Sequence, residues 1–191
     1  MKKLSVVALI LIVSGALFSI SYALWRHNAE VRFRLTITQP VHNEFECPGC
    51  IYNTIQDGID LHKNVRYPAL YDMMDSYKNQ LQARVTELNN LPFGGITYQE
   101  LSAECNRYRD VDITGFGNMI TGYGTCIRRL ADFFNSSTQE AKNEVPDFWT
   151  QHNNLWSLHN QLWSKRQELY DAVNAVWSVG QSKIDYNNQG H

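Results

Sequence analysis

The hydrophobic period of this chain changes along its length, and each change predicts a different element. Behind Lys2 and Lys3 lies an uncharged apolar run, Leu4 to Ile20, followed by Ser21-Tyr22-Ala23. That order of basic, apolar and small residues is the pattern of a secretory signal. The uncharged stretch continues to Trp25, long enough to reach the ~20 apolar residues that span a bilayer. Residues 1–23 are therefore expected to be either a cleaved signal peptide or an uncleaved anchor with Tyr22 and Trp25 at the interface. Both outcomes put the rest of the chain outside the cytoplasm, as a secreted or periplasmic protein or as a single-pass membrane protein.

Residues 31–38 read V-R-F-R-L-T-I-T, a strict alternation that predicts one short strand within an extended juxtamembrane segment, 24–46. Beyond Cys50 the period becomes helical. Ile51, Ile55 and Ile59 predict a short helix interrupted by Gly58. Leu70, Met74, Tyr77, Leu81, Val85 and Leu88 line one face of a longer helix of about six turns opening at Pro68. Leu91-Pro92 and Gly94-Gly95 end it. Thr97 and Glu100 form a capping box that starts the next helix, with Leu101, Cys105 and Tyr108 on its buried face. Around Gly115, Gly117, Gly122 and Gly124 a kink or late start is expected, because each interior glycine costs roughly 1 kcal/mol against alanine. Helical spacing then resumes at Ile120, Tyr123, Ile127, Leu130 and Phe134.

The C-terminal third carries the most regular pattern. Phe148, Leu155, Leu162, Leu169 and Val176 recur every seven residues, and Trp149, Trp156, Trp163, Tyr170 and Trp177 run beside them. Seven residues advance a helix by two turns less about 20°, so each set forms a slowly drifting column on one long helix. Leu158, Val173 and Val179 widen the apolar arc to one that packs against two neighbours. Pro146 marks its first turn and Gly180 its end. The fold expected is all-α, a disulfide-stapled bundle of four or five helices over 47–184, with a polar tail at 185–191.

Composition narrows the function. Without Lys2 and Lys3 the 17 Lys+Arg fall to 15 against 19 Asp+Glu, a formal charge of −4. No basic face recruits phosphates, so nucleic acid is excluded as a partner. Aromatic residues make up 12% of the chain, sufficient for a packed core, and residues 24–191 have the size of about one domain.

Four cysteines in an exported chain point to disulfides, with three pairings open. Cys105 and Cys126 each fall on an apolar helix face, so two cross-links from Cys47 and Cys50 would pin two helices. The local alternative pairs Cys47 with Cys50 and Cys105 with Cys126. A four-cysteine zinc site is a third option, suited to a reducing compartment. Cys47-Pro48-Gly49-Cys50, between a strand and a helix, resembles the active-site step of thioredoxin-like proteins, including the lysosomal thiol reductase type, in which a Pro-aromatic-Gly loop follows as Pro92-Phe93-Gly94 does here. The resemblance implies thiol–disulfide exchange at Cys47 and Cys50. That architecture also needs several more strands and a cis-proline facing the cysteines, whereas 97–183 reads as helix.

The tryptophan column is a candidate aromatic binding face, since such rings stack on sugars or cage cations, although a stripe at helical spacing is usually core. Arg166 is placed for a cation–π contact with Trp163. His152 and His159 stand about 10 Å apart along the axis, too far for one metal. Asn135-Ser136-Ser137 is a glycosylation sequon. No dinucleotide fingerprint, P-loop, H-E-x-x-H or G-x-S-x-G occurs, and no catalytic residue, metal site or cofactor is read. The expectation is a helical binding or structural protein whose partner is a protein or small ligand. Two alternatives stand beside it: an extracytoplasmic thiol–disulfide oxidoreductase, and self-association of the long helix into a homo-oligomer.

Overall fold

The Thr54 side chain accepts a hydrogen bond from the Asp57 amide at 3.1 Å, and the Asp57 carboxylate accepts one from the Thr54 amide at 3.1 Å. This capping box opens the first helix, α1 (Ile55–Asp60), in a computed structural model that describes residues 52–184. The leader, the 31–38 strand, Cys47, Cys50 and the 185–191 tail lie outside the described residues.

Gly58 does not interrupt the chain. A side-chain carbon there would sit 2.5 Å from Leu130 Cδ1, so the glycine lets a neighbouring helix approach. Without leaving helical geometry, α1 passes into a π-helical stretch, Leu61–Arg66, and then into α2 (Tyr67–Asn90). Pro68 lies in the first turn of α2, as its fixed φ favours. Leu70, Met74, Tyr77, Leu81 and Leu88 are buried and Val85 half-buried, so the face expected from the spacing is the one that packs. At Leu91 the backbone turns extended, as it does before a proline.

The Thr97–Glu100 capping box forms as expected, with bonds of 3.1 and 3.2 Å, and starts α3 (Tyr98–Arg107). A second π-helical stretch, Tyr108–Ile113, leads into α4 (Thr114–Ser136). No late start follows: the region around Gly115 to Gly124 is helix throughout. After the short α5 (Gln139–Asn143), capped by Thr138, comes the long α6 (Phe148–Gln181). Helix α6 starts at Phe148, leaving Pro146 just outside its first turn, and it continues through Gly180.

Among the described residues the helices thus form three arms, in place of four or five separate helices: α1 to α2 is the first, α3 to α4 the second and α6 the third, each of the first two joined through a π-helical stretch and α5 lying in the connection between the second and third. Long-range contacts fix their directions. Tyr77 and Arg84 on the first arm meet Asp112 and Glu104 on the second, so these arms are antiparallel. Arg109 meets Asn174, and Phe134 stacks on Phe148, so the second and third arms are antiparallel as well. Asp75 and Lys78 meet Lys165 and Glu168 in the same order, which makes the first and third arms parallel. The result is an up-down-up bundle with short connections.

At one pole, Ile96 pairs with Ile184 in an isolated parallel bridge, the Gly94 amide donates to the Lys183 carbonyl at 2.8 Å, and Lys183 Nζ donates to the Asn89 carbonyl. Gly94 takes φ of 79°, a conformation that glycine adopts without strain. Among the described residues no helix is long and apolar enough to cross a membrane.

Candidate functional site

Helix α6 divides its two seven-residue columns between core and edge. Phe148, Leu155, Leu162, Leu169 and Val176 are all buried. The neighbouring column, about 100° around the helix, lies at the border with the second arm: Trp156, Tyr170 and Trp177 are half-buried, while Trp149 is 50% and Trp163 37% exposed. The aromatic face is therefore neither wholly core nor a free surface.

Histidines interleave with these rings. Edge-to-face contacts run from Trp149 to His152 (5.5 Å between centroids), to Trp156 (6.3 Å), to His159 (5.1 Å) and to Trp163 (6.1 Å). The ladder closes on Phe148, whose ring stacks on Phe134 at 3.9 Å. Trp163 Nε1 donates to His159 Nε2 at 3.2 Å, which requires that nitrogen to be unprotonated. Burial pushes the pKa of both His152 and His159 down, so the ladder is uncharged at neutral pH. At its far end the Arg166 guanidinium lies 5.3 Å from the Trp163 ring centre and 5.1 Å from that of Tyr170, and its Nε donates to the Ile113 carbonyl at 3.0 Å. The cation–π contact expected from spacing is formed, with the cation anchored to the second arm.

The glycines of α4 make room for this stripe. A carbon added at Gly117 would lie 3.0 Å from Arg166 Nε, and one at Gly124 would lie 2.8 Å from His159 Nε2. Gly117 and Gly124 are seven residues apart on one arm, and Arg166 and His159 are seven apart in the reverse sense on the other. The glycines that read as a loosened segment are a docking face cut to the width of two side chains.

Three buried polar residues, His62, Asp112 and Lys165, were not anticipated from sequence. His62, in the first π-helical stretch, is fully buried; the Tyr52 hydroxyl is 2.7 Å from its Nε2, and Tyr123 donates to its carbonyl at 3.2 Å. Burial pushes its pKa down to about 3. Asp112, in the second stretch, accepts from Tyr77 at 2.8 Å, and burial raises its pKa. Both side chains face the core from within π-helical stretches, where the backbone departs from the α-helical register. Only the surrounding tyrosines hint at this in the sequence, and they are equally good core residues.

Rings link His62 to the stripe: Tyr52 packs on Phe133 (5.6 Å) and His62, His62 on Tyr123 (5.8 Å), and Tyr123 on His159. On another side of α6, Lys165 is buried against the Asp75 and Glu168 carboxylates and over the Tyr71 ring. Nearby, Lys78, Val85, Glu168, Ala172 and Ala175 line a shallow groove of about 270 Å³. Among the described residues no group of three or more His, Cys, Asp or Glu side chains converges to hold a metal.

Cys105 and Cys126 are buried free thiols. Cys105 lies on α3 and Cys126 on α4, both within the second arm, and the helical rise over the twenty-one positions from one to the other is about 30 Å. They do not bond to each other. Burial raises both thiol pKa values, that of Cys105 to about 11. Asn135 is exposed near the end of α4. No protein-family model, curated protein or solved structure matches the chain.

Proposed function

We propose that the chain is an exported helical binding protein that meets its partner through the aromatic edge of the third arm. In this reading residues 1–23 are a signal peptide or membrane anchor, 24–46 an extended segment, and the helical body is the binding domain, with disulfide bonds and a glycan on Asn135 as products of its compartment. The observation that carries the binding role is the state of Trp149 and Trp163, which are exposed yet held by His152, His159 and Arg166. Large apolar side chains presented in a fixed orientation lose little entropy when a partner covers them, which is why tryptophan dominates binding hot spots.

The test is site-specific photo-cross-linking in the native host, with a benzophenone amino acid at position 149 or 163 and, as control, at the exposed Glu87 of the first arm. Adducts from 149 and 163 but not 87 are expected. An adduct of twice the chain mass would indicate self-association instead. Absence of any adduct from 149 and 163 would remove the binding reading.

A further inference from the structure

We propose that the aromatic edge of the third arm binds a linear, uncharged polysaccharide of β-1,4-linked sugars, laid along α6 from Trp149 to Gln167. The proposal rests on the binding role given to that edge above and names its ligand. The rings are only half of a repeat. Four residues after each ring on this stretch comes an amide: Trp149 is followed by Asn153, Trp156 by Asn160 and Trp163 by Gln167. Steps of four and three residues keep these side chains on one face of a helix, so indole and carboxamide alternate along a single stripe. The amides are exposed, as are Trp149 and Trp163, and Trp156 between them is half-buried.

Charge is missing from the same stretch of α6. From Phe148 to Ser164 there is no Lys, Arg, Asp or Glu, although a solvated protein surface ordinarily carries charge at about a quarter of its positions or more. Lys165, the first cation after it, is turned to the Asp75 carboxylate of the first arm. A face with no ion to pair selects a ligand with none, because a charged group laid on it would lose water and gain no partner. An indole offers its electron-rich face to polarised C–H bonds, and a carboxamide supplies both a donor and an acceptor. A pyranose matches that pairing, since its faces are C–H and its rim is hydroxyl. The rings are also fixed before a ligand arrives: Trp149 packs against Phe134 and His152, and Trp163 against His159 and Arg166.

Spacing selects among neutral polymers. Seven residues advance α6 by about 10 Å, close to the length of two sugar units in an extended β-1,4-linked chain, whose alternate units turn the same face to one side. Successive rings therefore meet successive like faces. The stripe drifts by about 20° per repeat, a twist that glycosidic torsions absorb. A coiled α-1,4-linked chain keeps no such straight register.

The full chain is to be titrated with cellohexaose and chitohexaose, and with maltohexaose as the α-linked control, by calorimetry and tryptophan fluorescence. Saturable binding of at least one β-linked hexasaccharide is expected, with affinity rising from disaccharide to hexasaccharide. Added salt should leave it unchanged, even though the exposed Arg128 of α4 stands near enough to act on His159. Trp149→Ala should weaken binding by roughly tenfold and the exposed Asn153→Ala by a few-fold, while Glu87→Ala leaves it unaltered; circular dichroism checks that each variant keeps its helicity. No binding of either β-linked hexasaccharide, equal binding of maltohexaose, or an affinity that collapses with salt would overturn the proposal. Photo-cross-linking from positions 149 and 163 separates it from the broader reading: protein adducts together with no sugar binding would leave the edge a binding face and remove only the sugar.

Discussion

The third arm makes two interfaces of opposite character. Against the first arm it runs parallel and matches charge with charge, Lys165 with Asp75 and Lys78 with Glu168. Against the second it runs antiparallel and matches shape with shape, Trp, His and Arg lying over glycine. The charged side chains can shift without disturbing the core, because three of the four carboxylates and ammoniums are at least a quarter exposed. The rings over Gly124 have no such latitude. Mutations on the two sides should therefore differ in size and even in sign.

The largest effect is expected beneath both interfaces. Leu162→Ala, in the fully buried column, should destabilise the protein by about 2–5 kcal/mol, measured by denaturant unfolding.

Acid has an effect of the same order, and it acts on the side of the second arm. Burial brings the His62 pKa from its ordinary 6.5 to about 3 in the folded protein. Above pH 6.5 the imidazole is neutral in both states, and its contribution to stability is complete. Between pH 6.5 and 3 the unfolded chain takes up a proton that the folded one refuses, so stability falls by roughly 3–5 kcal/mol. Asp112, with its pKa raised by burial, works in the opposite direction, its contribution being lost as pH rises. The His62 slope is therefore best read in an Asp112→Asn background, and it should flatten in His62→Gln.

The glycine face offers a sharper pair. Gly124→Ala forces a carbon to 2.8 Å from His159 and should cost about 1–3 kcal/mol. Gly115→Ala, on the same helix, meets nothing within 4 Å and should stabilise by up to about 1 kcal/mol. Equal effects at the two positions would mean that α4 and α6 are not in this register.

On the charged side the smallest change is expected. Lys165→Met keeps an unbranched apolar side chain in the buried position while removing the ammonium that lies over Tyr71 and between the half-exposed carboxylates, and should alter stability by no more than about 1 kcal/mol. A loss as large as that of Gly124→Ala would make the two interfaces alike after all.

Periodicity made the buried faces legible. The stripes from Leu70 to Leu88 and from Phe148 to Val176 pack as their spacing implies, and the Thr97–Glu100 cap forms, because burial and capping are set by residues a few positions apart. Where arms continue or break was not legible. Gly58 and the glycines from 115 to 124 read as interruptions by propensity, but propensity is outweighed where a missing side chain admits a neighbour from elsewhere in the chain. The π-helical stretches escaped for a related reason: the five-residue hydrogen bond has no residue preference, and what holds it, such as Tyr123 on the His62 carbonyl and Arg166 on that of Ile113, comes from other arms. The tryptophan column was half legible, since spacing places it beside the core but not the depth to which each ring sinks.

The latch at Ile96 and Ile184 has a mechanical corollary. Tyr52 lies at the pole of Phe133 and Phe148, whereas Ile184 is tied to the opposite pole by the Gly94 and Lys183 bonds. A force applied between those two ends would run lengthwise through arms of about 50 Å, sliding packed helices past one another rather than peeling them apart one turn at a time. A pull on those two ends would therefore load the packing between the arms in shear, with the short bridge at Ile184 at one end of the loaded path.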